Sequence, residues 1–79
     1  MDKMGTTMIA EKVAESFKTL RQGEIYRSVI NDTERALIER ALLEAHGNQI
    51  LAARILGLNR NTLRAKIRKL NIQTERFKE

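Results

Sequence analysis

Two stop-and-restart signals close together constrain this chain most: Gly47-Asn48, and Gly57 followed by Asn59. Glycine tolerates positive φ and so ends a helix, while an Asn side chain accepts an orphan backbone N–H and so starts the next one. Between the two signals lies a short apolar segment, and after Asn59 a basic one. Residues from about 47 to 72 are therefore predicted to form a helix-turn-helix. Ala52-Ala53 supplies the small side chains that a close crossing of two helices needs.

On the second of these helices Leu63, Ile67 and Leu70 fall at i, i+4 and i+7 and form one stripe that packs inward. The remaining residues, Arg60, Asn61, Thr62, Arg64, Ala65, Lys66, Arg68 and Lys69, face outward with no acidic residue among them. Positive charge concentrated on a narrow face suits phosphate. Arg and Asn have forked donors and acceptors that match guanine and adenine edges in the major groove, and here they stand at the N-terminal end of the helix, where a recognition helix reads bases. The expectation is double-stranded DNA binding.

The charge distribution agrees. The 79 residues carry a net charge of +5 with a pI near 10.1. Residues 1–46 hold 7 Lys/Arg against 8 Asp/Glu, whereas residues 47–79 hold 8 against 2, so the basic excess is confined to the helix-turn-helix and tail. A membrane-surface helix would need large exposed apolar residues opposite its charges, and Leu63, Ile67 and Leu70 are better used as a core stripe. No apolar run is long enough to span a bilayer, and the N-terminus lacks the apolar core of a signal peptide. With no Cys, a disulfide framework and a thiolate metal site are excluded, and the composition suits a reducing cytoplasm.

Nothing in the chain points to catalysis, a cofactor, a metal or a small-molecule substrate. His46 is the only histidine, and its place near a helix C-terminus fits an interaction with the helix dipole. Asp32, Glu34, Glu39 and Glu44 read as a solvated helix face.

Upstream, Thr6 or Thr7 can cap a first helix running to about Arg21, with Ile9, Val13, Phe17 and Leu20 on one face and Gln22-Gly23 as its stop. From Glu24 the positions Ile25, Tyr26, Val29, Ile30, Thr33, Leu37, Ala41 and Ala45 keep helical period, and Ile38 and Leu42 widen the stripe. This predicts one long helix to about His46. Asn31 with Glu34 also fits a capping box, which leaves a kink or restart at Asn31-Asp32 open. Arg35 with Glu39 and Arg40 with Glu44 are spaced as surface i,i+4 pairs.

So short a chain without proline is expected to form a single small helical domain over residues 1–79, with a limited core. Two short helices cannot cover the apolar surface of the two before them. A homodimer would close a four-helix core through Ile9, Val13, Phe17, Leu20, Tyr26, Val29, Ile30 and Leu37, and would set two helix-turn-helix units about a two-fold axis. The alternatives are a monomeric bundle and a fragment lacking its partner domain.

Gly47-Asn48-Gln49, Ala52-Ala53, Leu56-Gly57, Asn59-Arg60, Thr62-Leu63-Arg64 and Lys66 together resemble the helix-turn-helix of the Fis family. That family includes the nucleoid protein Fis and the C-terminal domains of NtrC-type enhancer-binding activators. The resemblance extends more weakly over about residues 9–73. It implies an all-α, four-helix fold, with two dimerisation helices over about 7–46, a helix-turn-helix over about 47–72 and a tail over 73–79. It also implies Arg60 as the base-reading arginine. Asn61 and Arg64 are the further base-contact candidates, with Arg64 also within reach of the backbone. Asn48, Gln49, Asn59, Thr62, Lys66, Arg68 and Lys69 are the backbone-contact candidates. Ala65 stands where Fis has a lysine, which implies one phosphate contact fewer, and Ala36 stands where Fis has a proline, which removes the reason for a kink.

Only about six residues precede the first helix, too few for the N-terminal arm of Fis. Glu34-Arg35-Ala36-Leu37-Ile38 and Asn59-Arg60-Asn61-Thr62-Leu63-Arg64 resemble the activator branch. That branch implies ATPase and receiver domains in the same full-length protein, and a cytoplasmic, nucleoid-associated location in a bacterium. No Gly-rich phosphate loop occurs in this chain, so the expectation is a DNA anchor excised from a longer activator. A stand-alone, DNA-bending nucleoid protein and a helical protein-interaction module are the competing readings. The tail around Phe77 either folds back on the domain or stays disordered.

Overall fold

The computed structural model describes residues 3–78, with side-chain environments from Met8 onward. Its elements are α1 (Lys3–Thr19), α2 (Ile25–Glu44), α3 (Gln49–Leu56), α4 (Arg60–Lys69) and a short 3-10 helix (Thr74–Phe77). The architecture is the all-α, four-helix one expected, ending in a helix-turn-helix. The chain divides into two compact units, one ending at Asn31 and the other beginning at Asp32, so the division falls inside α2.

In the first unit α1 starts at Lys3, upstream of Thr6 and Thr7, so neither residue is the cap that its composition suggested. The helix also stops at Thr19, short of Arg21, which leaves Leu20 outside it. The Ser16 and Thr19 hydroxyls donate back to the Lys12 and Glu15 carbonyls at 3.0 and 3.1 Å, a local use of hydroxyls near a helix end. Gly23 turns the chain at φ 90°. Glu24 then takes the cap position of α2, its carbonyl accepting from the Ser28 N–H at 3.1 Å. Helix α2 passes through Asn31 and Asp32 without interruption, so the capping-box restart does not occur.

The second unit contains every buried apolar residue among those described: Ile38, Ala41, Leu42, Ala45, Ala52, Ala53, Leu63, Ile67, Leu70 and Ile72. The inward stripe of α4 and the small pair at the α3–α4 crossing are placed as expected. On α2 the emphasis is corrected. Ile38 and Leu42, expected at the margin of the stripe, are at its centre, whereas Leu37 is 54 % exposed. The reason is that the C-terminal half of α2 packs on the helix-turn-helix, and a helix can offer only one face to it.

Three successive Schellman closures end α2, α3 and α4. In each, one amide reaches back five residues and the amide before it reaches back three: Gly47 to Leu42 with His46 to Leu43, Leu58 to Ala53 with Gly57 to Arg54, and Ile72 to Ile67 with Asn71 to Arg68. The left-handed residue of each is His46 (φ 53°), Gly57 (φ 76°) and Asn71 (φ 56°). Gly47 was expected to end α2, but His46 takes that position and Gly47 (φ 84°) follows it. The last two closures turn Leu58 and Ile72 onto the core, which accounts for the burial of Ile72 beyond the end of α4. The tail then folds back, and Phe77 packs against the same core.

Two side chains expected on a solvated face instead tie α2 to α4. Glu34 accepts from Lys66 at 2.6 Å in a part-buried ion pair, and the Arg35 guanidinium donates to the Leu70 carbonyl at the end of α4. Arg35 lies only 4.0 Å from Glu39, so the surface pair read from spacing is its weaker engagement. Arg40 and Glu44 do form an exposed pair, at 2.8 Å.

Candidate nucleic-acid interface

Local chemistry sets the two helices of the interface. The Asn48 Oδ1 accepts from the Leu51 N–H at 3.1 Å and the Asn59 Oδ1 from the Asn61 N–H at 2.7 Å. Both caps are thus made by the residues that the sequence marks for them. Each cap uses the side-chain oxygen and not the NH₂.

With 100° per residue, the buried stripe of α4 (Leu63, Ile67, Leu70) assigns every other side chain to a sector. Asn61, Ala65 and Arg68 point most directly away from the core, with Lys69 beside them, and all four are exposed. Arg60 and Arg64 occupy the flank towards the start of α3. There they line a recess of about 490 Å³ with Gly47, Asn48, Gln49, Ile50 and Lys78. Thr62 and Lys66 occupy the opposite flank. Thr62 is exposed, whereas Lys66 is half-buried and paired with Glu34.

The structure therefore brings Asn48, Gln49, Arg60 and Arg64 into one concave site and leaves Asn59, Asn61, Arg68 and Lys69 exposed outside it, with Thr62 exposed on the opposite flank of α4. The outward face of α4 was expected to be free of carboxylates, and this is corrected at Lys66: Glu34 reaches it from α2. Because no acidic residue lies on α4 itself, its sequence alone could not show that neutralisation. Lys78 was missed altogether. The one available signal was Phe77, an aromatic residue in a charged tail, which docks on the core and carries Lys78 to Gly47.

In the first unit a second, apolar groove of about 360 Å³ is lined by Val13, Phe17, Ile25, Tyr26, Val29 and Ile30. Of the residues expected in a dimer core, Ile9 (66 %), Phe17 (65 %) and Tyr26 (78 %) are widely exposed, as are Ile30 and Leu37 to a lesser degree, while Val13, Leu20 and Val29 are half-buried. Among the described residues no helix is long and apolar enough to cross a membrane, and no cluster of three His, Cys, Asp or Glu could hold a metal ion.

The family model described as bacterial regulatory protein, Fis family, matches residues 29–70. Curated relatives carry the name DNA-binding transcriptional regulator NtrC. The protein of Azospirillum brasilense is 56 % identical over 52 residues, covering 66 % of this chain and 11 % of the relative. That of Bradyrhizobium sp. (strain RP501 Parasponia) is 52 % identical over 52 residues, with the same two coverages. That of Rhizobium meliloti (strain 1021) is 39 % identical over 82 aligned positions, 94 % of this chain and 17 % of the relative. The chain thus spans between 11 % and 17 % of the length of these relatives. No solved structure matches it.

Proposed function

The chain belongs to the Fis family of bacterial regulatory proteins; on that premise we propose that it is a DNA-binding helix-turn-helix module of transcriptional regulation that works as a two-fold dimer tethering an NtrC-type activator to enhancer sites. One observation carries the reading most. The exposed side of α4 presents Arg60, Asn61, Arg64, Arg68 and Lys69, while its apolar stripe is locked into the core.

In this proposal α4 enters the major groove. Arg60, Asn61 and Arg64 meet base edges, Arg60 being the principal reader because it stands in the first turn, and Arg64 also reaches the backbone. Asn48 and Gln49 at the start of α3, with Asn59, Thr62, Arg68 and Lys69, hold phosphates and fix register. Lys66 enters differently from the first expectation. Its ammonium is engaged by Glu34, so its part is to set the angle of α4 together with Arg35.

The exposed apolar residues Ile9, Phe17, Tyr26 and Ile30 support dimerisation, since a second copy would cover them and double the DNA contacts. The greater length of the relatives supports a longer parent protein; receiver and ATPase domains in it, and a place in the bacterial cytoplasm, are the part of the proposal that rests on the resemblance to the activator branch. Selection from a random duplex pool, followed by binding of the selected site against random duplex, tests base reading. A discriminating site that Arg60→Ala no longer prefers is the expected result. Equal affinity for all duplexes would refute it.

A further inference from the structure

The tail after α4 is the part of the second unit that the proposed function leaves without a task. It is ordered by three contacts. Ile72 is buried and Phe77 packs on the core. At its end the Cγ of Lys78 lies where a β-carbon on Gly47 would come within 2.6 Å, and the Lys78 backbone nitrogen lies 3.1 Å from the same point. The absence of a side chain at residue 47 thus makes room for Lys78. The result is a recess with Arg60 and Arg64 on one side, Asn48, Gln49 and Ile50 on another, and Lys78 on a third.

We infer that Lys78 is a further DNA phosphate contact, delivered by the folded tail to the cationic recess between α3 and α4. The inference rests on the DNA-binding reading above. Three cations surround one concavity with no carboxylate in its lining, and the ligand that suits such a setting on a DNA-binding face is a backbone phosphate. Among the described residues, Glu75 is the acidic side chain beside Lys78, at 3.5 Å. Its side chain is 81 % exposed and that of Lys78 is 54 % exposed, so water screens the pair and the ammonium is available to exchange one anion for another. Gly47 makes room for the stem of Lys78, while its charged end is solvent-exposed.

The test is duplex affinity as a function of salt for the whole chain and two variants. Lys78→Gln keeps the carbons that cover Gly47 and removes the charge. It is expected to weaken selected and random duplex by the same factor, about fivefold at 0.15 M salt for each protomer, and to reduce the slope of log affinity against log salt by about 0.9 per protomer. Glu75→Gln removes the competing carboxylate and is expected to shift affinity the opposite way. Wild-type slope and affinity in Lys78→Gln, with the wild-type chain binding DNA, would overturn this inference and leave the proposed function standing. A loss that Glu75→Gln reproduces would overturn it too, as a sign of a disturbed tail. No salt-dependent duplex binding by the wild-type chain would overturn both.

Discussion

The two units of this chain both carry apolar residues at helical period, but only the second buries them within the chain. Ile38 and Leu42, in the C-terminal half of α2, are 2 % and 0 % exposed, whereas Tyr26, in the N-terminal half of the same helix, is 78 % exposed. Helical period alone does not distinguish the halves. What differs is a local partner: the C-terminal half has α3, α4 and the tail to pack on, and the N-terminal half leaves Phe17 and Tyr26 exposed beside α1. One helix thus completes the buried core of the second unit at one end and leaves apolar side chains exposed at the other.

The largest expected effect breaks the comparison at its buried end. Leu42→Ala should cost about 2 to 5 kcal/mol of unfolding free energy, measured in urea, because the cavity would open where α2 meets the helix-turn-helix. Next comes the exposed end. Phe17→Glu should weaken dimerisation by about 2 kcal/mol or more, seen as monomer in sedimentation, while leaving the circular dichroism of the folded chain intact. A variant that stays dimeric would place the association face elsewhere.

The remaining predictions sharpen the account of the second unit. Arg60→Ala should lose about 1 to 3 kcal/mol on a selected site and relax preference at the base it reads, with little change in thermal stability. Asn59→Ala should lower stability by about 1 kcal/mol through loss of the cap on α4, read from the thermal midpoint. Smallest is the coupling between Glu34 and Lys66. A double-mutant cycle should return about 0.5 to 1 kcal/mol in stability, modest because both side chains retain some exposure. Its value lies in the second readout: Glu34→Gln should also weaken cognate binding if the pair sets the angle of α4.

Much of the local structure beneath the candidate interface was legible in the sequence. Asn48 and Asn59 are caps because of what their side chains do to amides two or three residues away, and Leu63, Ile67 and Leu70 turn inward because of helix geometry alone. The misreadings are of different kinds. Thr6 and Thr7 looked like caps, yet α1 starts before them. Glu34 and Arg35 looked like surface charges, yet each meets α4 more than thirty residues further along. His46 and Asn71 adopt left-handed φ without being glycine, since the closures they make turn the chain onto α3 and turn Ile72 into the core.

By itself, then, the sequence determined where α3 begins and ends, where α4 begins, which face of α4 is apolar, and that the other face is cationic. These follow from interactions spanning a few residues, for which the composition of a short window is sufficient. Only the tertiary structure decided which half of α2 is core, that Lys66 is neutralised by Glu34, and that the tail returns to bring Lys78 beside Gly47. Each of these depends on a contact between residues far apart in the chain, set by how helices pack and not by what any one of them contains.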